Sequence, residues 1–170
     1  FEPDEVLLSY VLNDVTSSEF VVRAHAVREA KSKHIRTATA PSQNSLLATW
    51  IYINYRRFNQ NNAQEVFWKS MYVESARAFL DVQEALAALS EMTREDGVRL
   101  RAVIFPMLGA DAQDYPFPEV HEAIKEALLA NGIDTRDLLP DYEKYGDWSE
   151  LIVASDDQHP NSKGHEIATT

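Results

Sequence analysis

The sequence predicts an α/β domain built on a parallel sheet, and three observations carry that expectation. Val6 to Leu12 is almost continuously apolar, broken at Ser9, and Leu100 to Phe105 is a second run of the same kind. Runs of this length suit strands buried on both faces, as parallel strands under helices are. Strand-like and helix-like stretches also alternate along the chain, which is the order that βαβ units produce.

Taken in order, the first strand ends at Asn13-Asp14. In open α/β sheets that C-terminal edge is where ligands bind. Ser17 or Ser18 caps a helix with Phe20, Val21, Ala24, Val27 and Ala30 on one side. The basic residues Lys31, Lys33, His34 and Arg36 complement that helix's C-terminal end. A polar loop over Thr37 to Ser45 precedes two helical segments, Leu46–Phe58 and Ala63–Glu95, separated by Asn59-Gln60-Asn61-Asn62. The second has Trp68, Met71, Tyr72, Phe79, Val82, Leu86, Leu89 and Met92 at helical spacing, and Gly97 as its stop. This helical stretch, about 43–96, is long for a connection between neighbouring strands. It reads as an elaboration of a single domain spanning 1–170. Its aromatic residues (Trp50, Tyr52, Tyr55, Phe58, Phe67, Trp68, Tyr72) read as helix–helix core in preference to a lid over an acyl or sugar group.

Pro106 closes the second strand, and Met107 to Pro118 is a loop at the expected ligand edge. Glu119 to Asn131 reads as a helix with Val120, Ile124, Ala127 and Leu128 inward and Gly132 beyond its end. Ile133 to Leu139 reads as a short strand and turn ended by Pro140, and 141–150 as a polar and aromatic loop.

Composition narrows the function. Of the 170 residues 45% are hydrophobic and 25% charged, ordinary values for a globular domain. The net charge of −11 argues against a nucleic-acid partner, which needs a basic face. There is no cysteine, so neither disulfides nor thiolate metal sites enter the argument, and the compartment stays open. No stretch has the apolar length of a membrane span. The chain begins at Phe1, as a processed chain or a piece of a longer polypeptide would.

The chemistry concentrates near the C-terminus, in Ser155-Asp156-Asp157-Gln158-His159-Pro160-Asn161-Ser162-Lys163-Gly164-His165. Asp156 stands three residues before His159, within reach of one imidazole nitrogen. Such a contact fixes the tautomer and leaves the other nitrogen as a general base. Asp157 is the rival for that role. Pro160 stiffens the chain and Asn161 suits an N-cap. His165 reads either as a group beside the catalytic residues or as a helix residue, and His25 and His121 as surface or satisfied histidines. A metal set of Asp156, Asp157, His159 and His165 is the weaker reading of the same string.

The run Asp156-x-x-His159-Pro160-Asn161-x-x-Gly164-His165 resembles the last block of the SGNH (GDSL-type) serine hydrolases. Val11-Leu12-Asn13-Asp14 is similar to that family's Gly-x-Asn-Asp block, with Val11 where the family has glycine. Ile104-Phe105-Pro106 and Asp134-x-x-Asp137-Leu138-Leu139-Pro140 are similar to weaker family features in the same order. The resemblance implies a flavodoxin-like three-layer fold and hydrolysis of a carboxylic ester through an acyl-serine. His159 would be the base, Asp156 its orienting acid and Asn13 an oxyanion donor, with no cofactor. The substrate would be a small-molecule or carbohydrate ester.

No Gly-Asp-Ser block occurs in the chain. Ser9 sits mid-strand, Ser17 and Ser18 read as caps, and Ser155 adjoins Asp156 too closely to align on His159. The serine is therefore expected from a segment N-terminal to Phe1. With the strand order 2-1-3-4-5, Val6–Leu12 would be the third strand with one neighbour absent. That edge is expected to pair with the complementary N-terminal segment or with a second copy. The competing reading is a non-catalytic binding or assembly module that retains the fold.

Overall fold

A computed structural model describes residues 3–15, 65–74, 76–109, 112–154 and 157–169. The chain divides into two compact units, Phe1–Val15 with Lys69–Thr170, and Thr16–Trp68. Of the second unit only 65–68 is described, and it is helical. The helices expected around Phe20 to Ala30 and over Leu46–Phe58, with the aromatic residues Trp50, Tyr52, Tyr55 and Phe58, lie outside the described residues.

The first unit is a mixed α/β structure. Strand β1 (Glu5–Val11) leads into a 3-10 turn over Leu12–Val15, and helix α1 (Arg77–Glu95) precedes strand β2 (Arg99–Phe105). Helix α2 (Pro118–Ala130) then returns the chain to strand β3 (Asp134–Asp137). The three strands form one parallel sheet in the order β1-β2-β3, with Val11 opposite Phe105 and Ile104 opposite Asp137. Beyond them lie helix α3 (Leu139–Glu143), a 3-10 turn at Trp148–Glu150, the antiparallel pair β4 (Ile152–Ala154) and β5 (Asp157–Pro160), and helix α4 (Ser162–Ile167).

Side-chain alternation decides which face of the sheet is covered. In β2, Leu100, Ala102 and Ile104 are buried while Arg99 and Arg101 are exposed. Tyr10 stands opposite Ile104 and is buried with it. Helices α1 and α2 pack against the sheet and against each other, Phe79 and Leu86 facing in from α1 and Val120, Ile124 and Leu128 from α2. Strands buried on both faces are therefore not what forms. On the other face Leu7 is 59% exposed, and Glu5 pairs with Arg99 and Arg101, which in turn pairs with Asp134. A charged ladder of this kind belongs in water, where each pair is worth little.

The helix expected over Ala63–Glu95 is broken. Helical residues 65–71 give way to a turn before α1 starts at Arg77. The break lets Tyr72 turn into the core, where its hydroxyl donates to the Leu12 carbonyl (2.6 Å) and accepts from Tyr10 (2.8 Å). Burial pushes both phenols well above their ordinary range, so both stay protonated donors. At the far end of α1, Met92 faces solvent, against the expected apolar stripe.

Residues 141–150 are only in part the polar and aromatic loop expected: a helix runs to Glu143, turn and coil follow over 144–147, and Trp148–Glu150 is a 3-10 turn. Pro140 sits in the first turn of α3, where its missing N–H costs nothing. Tyr142 and Trp148 are fully buried, and the indole N–H donates to the Tyr142 carbonyl (2.9 Å). Gly132 takes a positive φ of 71° after α2, the left-handed conformation expected of a helix stop. Among the described residues no helix is long and apolar enough to cross a membrane.

Candidate active site

Parallel strands end on the same side, and the candidate site is built there. β1 runs out into Leu12–Val15, where Leu12 and Val15 are buried and fix the turn. The Asp14 carboxylate accepts from the Val11 N–H (2.8 Å), so Asp14 closes the turn on itself. Val11 is an ordinary strand residue here, a position that suits a β-branched side chain. Asn13, between the two anchors, lines a cavity of about 390 Å³.

The C-terminal hairpin supplies further lining. Asp157, Gln158, His159 and Pro160 of β5 and His165 of α4 line the same cavity. Asn161 is the N-cap expected of it: its side-chain oxygen accepts from the Gly164 N–H at 3.0 Å. Its amide group also donates to the carbonyls of Glu150 and Ile152, both at 2.9 Å. Gly164 is required by packing, because a Cβ there would stand 2.7 Å from the Leu151 carbonyl oxygen. The Tyr142 hydroxyl donates to the Gly164 carbonyl at 2.7 Å, with burial pushing that phenol up to about 12. The hairpin that presents His159 is thus tied to the core through Asn161, Gly164 and Tyr142.

His159 itself is open to solvent, its side chain 86% exposed. Its Nδ1 lies 2.6 Å from Asp157 Oδ1, and that oxygen also accepts the His159 backbone N–H at 3.2 Å. The imidazole hydrogen bond holds the Asp157 carboxyl below its ordinary range, with the backbone N–H adding to it. An ionised carboxylate only accepts, so Nδ1 carries a proton, and in the neutral imidazole it is Nε2 that keeps the lone pair. That is the tautomer a general base needs. Asp156, the acid expected on His159, lies outside the described residues, as does Ser155. Among the described residues, no serine hydroxyl is hydrogen-bonded to His159.

Of the residues singled out in the sequence as candidates, Asn13, Asp157, His159 and His165 line the same cavity. Ser9, set aside as mid-strand, is mid-strand and exposed, but it also lines the cavity. The remaining wall includes Phe105, from the Ile104-Phe105-Pro106 segment, Met107 and Leu108, from the loop expected at the ligand edge, and Gln158, to which no role was attached. The available signal was positional, since Phe105 to Leu108 follow the C-terminal end of a parallel strand. The Phe105 ring stands edge-on to His165, centroids 6.3 Å apart. The cavity lining therefore combines polar groups (Asn13, Asp157, Gln158, His159, His165) with apolar Val11, Phe105, Met107 and Leu108.

No family model matches the chain, and no curated protein or solved structure matches it.

Proposed function

We propose that the chain is an SGNH-type hydrolase domain that cleaves carboxylic esters by a Ser-His-Asp mechanism, with the serine supplied by a segment N-terminal to Phe1. One observation carries the reading. Asn13 and His159, from opposite ends of the chain, line the same cavity at the C-terminal ends of a parallel sheet. In this reading the His159 Nε2 takes the serine proton and later returns one to the leaving alcohol. Asn13 donates to the oxyanion that develops on the ester carbonyl. Asp156 orients His159 as the motif spacing implies, with Asp157 its rival. The fold would be flavodoxin-like, with β1-β2-β3 as its third to fifth strands. The 2-1-3-4-5 order makes those three consecutive and parallel, as β1-β2-β3 are.

A second reading, a binding or assembly module that keeps the fold without catalysis, is equally compatible with His159 having no serine partner among the described residues. One experiment separates the two. The polypeptide extended upstream of Phe1 is treated with a fluorophosphonate probe and assayed on p-nitrophenyl acetate. Labelling of an upstream serine, with a loss of several orders of magnitude in His159→Ala, supports the hydrolase. Labelling of Ser9 would overturn the upstream nucleophile, and absence of labelling and turnover would leave the module. Within an active enzyme, Asp156→Asn is expected to cost far more kcat than Asp157→Asn. The reverse order would make Asp157 the catalytic acid.

A further inference from the structure

Setting the tyrosines aside, His121 is the only buried polar or charged residue among those described, at 1% exposure. It lies in a chain of hydrogen bonds that begins at the C-terminal end of β3 and finishes in the cavity wall. Asp137 Oδ1 is 2.8 Å from His121 Nδ1, and His121 Nε2 is 2.9 Å from the Tyr115 hydroxyl. The Tyr115 oxygen accepts from the Met107 N–H at 3.2 Å. The directions follow from chemistry. Asp137 Oδ1 also accepts from the Leu139 N–H (3.0 Å), and as a carboxylate it can only accept. His121 therefore holds a proton on Nδ1; in the neutral imidazole Nε2 then accepts the Tyr115 O–H, and the phenol's remaining lone pairs take the Met107 N–H. Every member is satisfied, so the chain fixes one geometry.

The chain ends where the sheet no longer holds the backbone. Strand β2 stops at Phe105, and Met107 and Leu108 line the cavity beyond any strand pairing. The residue after that wall also lies beside the histidine strand. Gly109 lies so close to Gln158, next to His159, that a Cβ there would meet the Gln158 side chain at 2.3 Å.

We infer that Tyr115 and His121 are positioning residues for this cavity. Through the Met107 amide they set where the Met107–Leu108 wall stands, and with it the size of the acyl group the cavity admits. The part concerning acyl groups rests on the esterase reading above; the part concerning the wall does not.

Tyr115→Phe tests both parts, because it removes only the oxygen. The ring keeps its contacts with Phe117, His121 and Trp148, at centroid distances of 5.6, 5.5 and 5.3 Å. In ¹H–¹⁵N spectra of the full chain, Tyr115→Phe should displace the Met107 and Leu108 amides and the His121 ring nitrogens. The amides of α1 should stay in place. Unmoved Met107 and Leu108 signals would overturn the inference whether or not any ester is cleaved. Should the variant not fold, the wild-type chain still decides: the Met107 amide must be protected from hydrogen exchange, and rapid exchange there would sink the idea.

In the active enzyme, the ratio of kcat/KM for p-nitrophenyl hexanoate to that for the acetate should change by roughly tenfold, the scale on which a pocket reads a methylene. An equal loss on both esters would reduce Tyr115 to a stability residue.

Discussion

Asn161→Ala isolates what holds the histidine hairpin in place. The Asn161 side chain has three backbone partners: the Gly164 N–H at 3.0 Å and the Glu150 and Ile152 carbonyls at 2.9 Å. Loss of an N-cap costs about 1 kcal/mol. Each further hydrogen bond adds about 0.5–1.5 kcal/mol, at the lower end here because these carbonyls regain water once exposed. The sum is about 2–3 kcal/mol. For a chain of this size that corresponds to a fall in Tm of roughly 5–10 °C. Urea unfolding followed by the fluorescence of buried Trp148 measures it. Asn161→Ser keeps an acceptor for the Gly164 N–H but loses both donors, and should recover about 1 kcal/mol. A drop below about 0.5 kcal/mol for the alanine variant, or no recovery by serine, would refute the argument that these contacts tie α4 to the hairpin.

Three further outcomes follow from the same region. Gly164→Ala should cost about 1–3 kcal/mol in urea unfolding, because its Cβ meets two inflexible groups, the Leu151 carbonyl oxygen at 2.7 Å and Pro160 Cβ at 3.0 Å. The Asp157 carboxyl, held low by His159, should titrate by ¹³C NMR below the ordinary Asp value of about 4. Because the folded value is the lower one, its small stabilisation is present above the ordinary value and is lost as pH falls through the folded one. His159→Ala should return that titration to the ordinary range. In an active enzyme, Asn13→Ala should lower kcat by roughly 10²–10³ with little change in KM, since an oxyanion contact strengthens in the transition state.

Much of this was legible in the sequence where one residue has one job. Asn161 at a cap, Gly132 after a helix and the inward face Val120, Ile124, Ala127, Leu128 are local patterns, and they formed as read. The exposed face of the sheet was also written, in the alternation Arg99-Leu100-Arg101-Ala102, but the apolar run in β1 concealed it. What was not legible depends on distant partners. Nothing near Tyr72 says that the helix must break so that its hydroxyl can reach Leu12. Nor does the polar look of 141–150 reveal Tyr142 and Trp148, whose rings fill the core while their neighbours face water. In the candidate site, Asn13 and His159 were visible as motif residues, whereas the Met107–Leu108 wall has no motif and exists only because β2 stops there.

The parallel register explains why these parts meet. Val11 stands opposite Phe105 and Ile104 opposite Asp137, so all three strands run out at one level. The first delivers Asn13, the second the Met107–Leu108 wall, and the third Asp137, whose hydrogen bonds run back through His121 and Tyr115 to that wall. An antiparallel sheet of the same strands would send the middle one's end to the opposite edge and separate Met107 from both neighbours. The C-terminal hairpin brings His159 to the same cavity as Asn13. Its position is held by contacts at Asn161 and Gly164, at a distance from the imidazole. His159 is thereby placed by residues other than itself, so under the proposed reading Asn161 and Gly164 should read out in stability and His159 in chemistry.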